Sequence, residues 1–121
     1  MPGSSGDYNN KYSTQDVSRA RREWLSAMDK SSSTSAFLSY AKRERDRYLG
    51  DLGYLQSYLN ASEDEEKKEI INDKVTDAEE SLEESQARVV SLEARLVTLR
   101  ANEELLRTHY RFIFDIYERS I

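Results

Sequence analysis

From Val17 to Leu59, and again from Ile71 to Tyr117, apolar residues recur at alternating steps of three and four, the spacing of one face of an α-helix rather than of a strand. The first run reads Val17, Ala20, Trp24, Ala27, Ser31, Thr34, Leu38, Ala41, Arg45, Tyr48, Leu52, Leu55 and Leu59. The second reads Ile71, Val75, Ala78, Leu82, Ser85, Val89, Leu92, Leu96, Leu99, Glu103, Leu106, Tyr110, Ile113 and Tyr117. Of these 27 positions 22 are apolar, where a chain that is 37% hydrophobic gives about ten by composition alone. Two long amphipathic helices satisfy the pattern, and a many-stranded β fold does not.

Punctuation agrees with the period. The single proline is residue 2, so neither run contains one. Ser13 or Thr14 with Asp16 reads as a helix start, and Ser62 followed by Glu65 fits a capping box, which puts the second start near 63. Only Asn60 and Ala61 separate Leu59 from Ser62, and so short a link folds the helices back alongside each other. The organisation expected is a flexible arm over 1–13, a first helical arm over 14–60, a turn at 61–62 and a long second helix over 63–119. At 1.5 Å per residue that last helix would run about 85 Å.

The expected fold class is all-α, a long antiparallel coiled-coil hairpin that assembles into a multi-helix bundle. A break at 31–35 is the alternative along the first helix, because serine and threonine compete for backbone hydrogen bonds, and Gly50 with Gly53 offers a bend. A turn centred at 61–62 pairs seam residues whose numbers add to about 123, setting Trp24 against Leu99. A slip of one heptad sets Trp24 against Leu106 and Arg45 against Ser85. Arg45, Ser85 and Glu103 are the polar seam positions expected to fix the register.

Charge is uneven along the chain. Residues 61–84 carry eleven acids and three bases, whereas 1–60 and 85–121 are close to neutral and arginine-rich. The acidic stretch suits a solvated helix start, with docking of a basic partner as the alternative. Nucleic-acid binding would rest on arginine clusters such as Arg19, Arg21 and Arg22, but acids interleave with them throughout, and nucleic acid is not expected as the partner.

Chemistry has few candidates. There is no cysteine, and His109 is the one histidine, so thiol catalysis and histidine-rich metal sites have no residues to build on. No Walker loop, dinucleotide fingerprint, calcium loop or nucleophile elbow occurs. The chain is expected to be non-enzymatic, with no cofactor and no small-molecule substrate. No run approaches the roughly 18 apolar residues of a membrane span, and the N-terminus lacks a signal peptide's apolar core, so a soluble, intracellular protein is expected.

Apolar residues beside the second seam point to another covered surface. Tyr110 to Tyr117 is apolar almost all the way round, which a two-helix hairpin cannot enclose. Trp24, Leu105, Phe112, Phe114, Ile116 and Tyr117 are the expected interface, with Tyr8 and Tyr12 of the arm as the alternative cover. The expected role is structural, scaffolding or assembly through self-association, most simply as a dimer, and through protein partners. Two further readings are a nucleic-acid or regulatory adaptor using the arginine end, and a small subunit of a larger assembly such as a virion or secretion apparatus.

Overall fold

Residues 11–121 are described in the computed structural model, so most of the 1–13 arm, Tyr8 included, lies outside the described residues. Two helices account for nearly all the rest: α1, Thr14–Ala61, and α2, Glu65–Ser120, with no strand among the described residues. They pack against each other as a helical hairpin.

The first turn of α1 is closed by reciprocal bonds. The Ser13 N–H donates to Asp16 Oδ2 at 2.9 Å, and the Asp16 N–H donates to Ser13 Oγ at 3.1 Å. This is a capping box with aspartate in the place of the usual glutamate. Accepting the Ser13 backbone N–H holds the Asp16 carboxyl below its ordinary range, with a smaller contribution from the charge of Arg19.

Helix α1 then runs unbroken, which replaces the alternative of a break at 31–35. The reason lies in burial. Ser31 and Thr34 are each 6% exposed on the packed face, where hydroxyl-bearing residues behave as small side chains that keep the seam in phase.

The connection corrects a second expectation. Helix α2 is capped by Asp64, not Ser62: the Glu66 N–H donates to Asp64 Oδ1 at 3.0 Å and the Lys68 N–H to the Asp64 carbonyl at 2.9 Å. The helix therefore begins at Glu65 instead of 63. A carboxylate caps as well as serine does and adds charge that the N-terminal dipole favours.

All 27 seam positions are buried or half-buried, and the ten most buried of the described residues all belong to the seam. Contacts divide the hairpin into two units, one joining the residues up to Ser33 with Arg95–Ile121, the other Thr34–Ala94. In the first, Trp24 stacks on Tyr110, and the hydroxyls of Thr14 and Tyr117 lie 3.2 Å apart, pairs whose numbers add to 134 and 131. In the second, Arg88 pairs with Glu44 at 3.0 Å and Lys42 with Glu93 at 3.9 Å, adding to 132 and 135.

These sums overturn the register near 123 and lie closer to the slipped one, so Trp24 meets Tyr110, one turn past Leu106, and not Leu99. The offset carries the first two turns of α2 past the level of Ala61, and residues 63–67 are accordingly exposed. It also sets small residues against large ones: Ala20 shares a groove with Ile113, and Ala27 one with Leu106. A backbone that approaches closely at alanine makes room for the branched residue opposite.

Candidate interaction surface

The seam consumes some of the residues the sequence marks as anchors. Trp24 and Tyr110 stack with ring centroids 5.5 Å apart and planes 18° apart, and Phe114 tilts against Tyr110 at 5.9 Å. Trp24 is half-buried, and its indole Nε1 is buried without an acceptor. Tyr117 is held at its hydroxyl by Thr14, and the Ile116 carbonyl accepts the Ser120 hydroxyl at 2.8 Å. Three of the six expected anchors, Trp24, Ile116 and Tyr117, are thus half-buried within their own unit.

The other three point outward. Leu105 is 71% exposed, Phe112 58% and Phe114 41%. Leu105 and Phe112 lie seven residues apart, so they share one outer face of α2. Val97 is exposed on the same outer side.

A second exposed group escaped the sequence reading. Phe37, Tyr40, Tyr54 and Tyr58 on α1 are all 61–72% exposed, all within the second unit. Their numbers follow the same three-four rhythm as the seam, displaced by about a quarter-turn, and Glu44, Arg47 and Asp51 fill the intervening steps. The signal was available as a second periodic stripe, but a stripe lying beside a stronger one is masked when only the best phase is followed.

The polar seam residues behave differently from one another. Arg45 is half-buried, and its Nε and Nη2 both lie 3.2 Å from Asp46 Oδ1, so its head turns aside while its stem stays in the seam. Ser85 is 2% exposed, and Glu103 is half-buried.

His109 is exposed beside a shallow groove of about 280 Å³ that also touches Tyr12, Asp16 and Glu23, and Asp16 is engaged in the cap. Among the described residues no three His, Cys, Asp or Glu side chains lie close enough to hold a metal ion, and no helix is long and apolar enough to cross a membrane. Compared with protein-family models, with curated proteins and with solved structures, the chain matches none.

Proposed function

We propose that this chain is a non-enzymatic structural or assembly component that works through helical self-association and protein partners, its hairpin a coiled coil that joins a larger helical bundle. One observation carries the reading: large apolar side chains remain outside a seam that is already complete, with Phe37, Tyr40, Tyr54 and Tyr58 on α1 and Leu105 with Phe112 on α2. Exposed patches of this kind mark surfaces that meet another protein, and aromatic residues dominate such interfaces.

The arginines argue the same way against a nucleic-acid role. Arg45, Arg88, Arg107 and Arg119 each face a carboxylate within 3.2 Å, which leaves less basic charge for phosphate. Residence inside the cell, within a larger assembly, fits a partner-binding role and belongs to the same proposal.

Association that is coupled to folding makes the thermal midpoint depend on chain concentration. The midpoint should rise by several degrees over about a hundredfold range of concentration. A chain carrying Tyr40→Ser, Tyr54→Ser, Leu105→Ser and Phe112→Ser should keep its helical circular dichroism and lose that dependence. A midpoint independent of concentration in the unaltered chain would count against the proposal.

A further inference from the structure

The exposed stripe of α1 reads almost the same in both directions. Counting outward from Arg47, Glu44 and Asp51 lie three and four residues away, Tyr40 and Tyr54 seven away on either side, and Phe37 and Tyr58 ten and eleven away. Acids flank the arginine and aromatics close both ends. We infer that this stripe is the contact face of a two-fold dimer, in which a second copy of the chain lays its own α1 antiparallel across the first, centred on Arg47.

Symmetry supplies the reason for choosing a second copy. In a two-fold contact residue i meets residue j and j meets i, so a helix face that pairs antiparallel with itself must be self-complementary, and a palindromic run of aromatics meets that need by setting rings against rings. Neither an unrelated partner nor a parallel copy imposes that order. In the antiparallel arrangement Phe37 meets Tyr58 and Tyr40 meets Tyr54, which places aromatic rings against aromatic rings at both ends. On the axis the two Arg47 side chains face each other, and each reaches Asp51 of the second copy one turn away, an opposite-charge contact that offsets their repulsion, while Glu44 is held within its own chain by Arg88 at 3.0 Å. The Arg47 guanidinium carbon lies 5.2 Å from the centroid of the Tyr48 ring, and Arg47 is exposed.

The area is adequate. Eight aromatic side chains exposed by 61–72% would remove roughly 1,100 Å² from water, above the roughly 1,000 Å² that a specific interface needs. Antiparallel α1 helices also oppose their dipoles, which a parallel pair would align.

The inference rests on the self-association proposed above and narrows it to one face, so its test separates the two. The chain has no cysteine, so introduced thiols report without background. Arg47→Cys should form a disulfide-linked dimer under mild oxidation, because the two positions sit on the axis. Phe37→Cys alone should not, since its two copies would lie about 30 Å apart, whereas a mixture of Phe37→Cys and Tyr58→Cys should cross-link. Cross-linking of Phe37→Cys as readily as Arg47→Cys, or none by Arg47→Cys, would overturn the arrangement. By light scattering, Tyr40→Ser with Tyr54→Ser should halve the mass and retain helical circular dichroism. A mass halved only by Leu105→Ser with Phe112→Ser overturns this face and leaves self-association standing, and a single-chain mass for the unaltered protein overturns both.

Discussion

Ser31 is 6% exposed and its hydroxyl has no hydrogen-bond partner, a combination that costs desolvation without return. Alanine fits the same space and forms helix better. Ser31→Ala should therefore raise the stability by about 1 kcal/mol, read as a shift of the denaturant midpoint at unchanged slope. A destabilised variant would mean that the hydroxyl does contribute a bond. Asp16 makes a prediction of the opposite kind. Its pKa is lowered in the folded chain, so its contribution is fully present above the unfolded value and is lost as pH falls through the folded one. Acidification below about pH 4 should loosen the first turn of α1, and Asp16→Asn should flatten that dependence. Measuring the midpoint from pH 6 to 2, as a range of about four units around the carboxylate value, checks the sign.

Helix elements were legible because burial follows a period, and all 27 stripe residues named from the sequence are at least half-buried. The serine-rich segment shows why phase outweighs propensity: Ser31 and Thr34 are indifferent helix formers, yet they fall on the seam and stay there. Helix starts were harder to read. Ser62 and Asp64 are both good caps, and only the tertiary run of the turn selects Asp64. Register was legible only as two alternatives, because a heptad repeat looks identical after a slip of seven, and the choice falls to cross-helix pairs such as Arg88 with Glu44. Gly50 and Gly53 give a direct test at this scale. A Cβ at either would meet nothing within 4 Å, so neither is needed for packing inside the hairpin. Gly50→Ala and Gly53→Ala should each stabilise α1 by about 1 kcal/mol, and a loss of stability in either would reveal a close neighbour that the single chain lacks.

At the scale of the whole molecule, the seam is finished within one chain while two outer faces are not. The candidate surface was half legible: Leu105 and Phe112 stood out as apolar residues off the seam, whereas Trp24 and Tyr117 turned out to be spent inside their own unit. A tryptophan on a helix seam has the same sequence signature whether its ring faces a neighbour or its own partner helix, so only the structure separates the cases. The α1 stripe was missed for a related reason, since three charged residues, Glu44, Arg47 and Asp51, divide its aromatics and it does not read as a core. Eleven of the chain's acids and three of its bases fall in residues 61–84, away from the exposed Leu105 and Phe112. Sedimentation equilibrium of the unaltered chain over a range of micromolar concentrations reads self-association without altering a residue. A mass twice that of one chain, falling toward a single chain on dilution, is expected; a single-chain mass at every concentration, with the helices intact, rules self-association out.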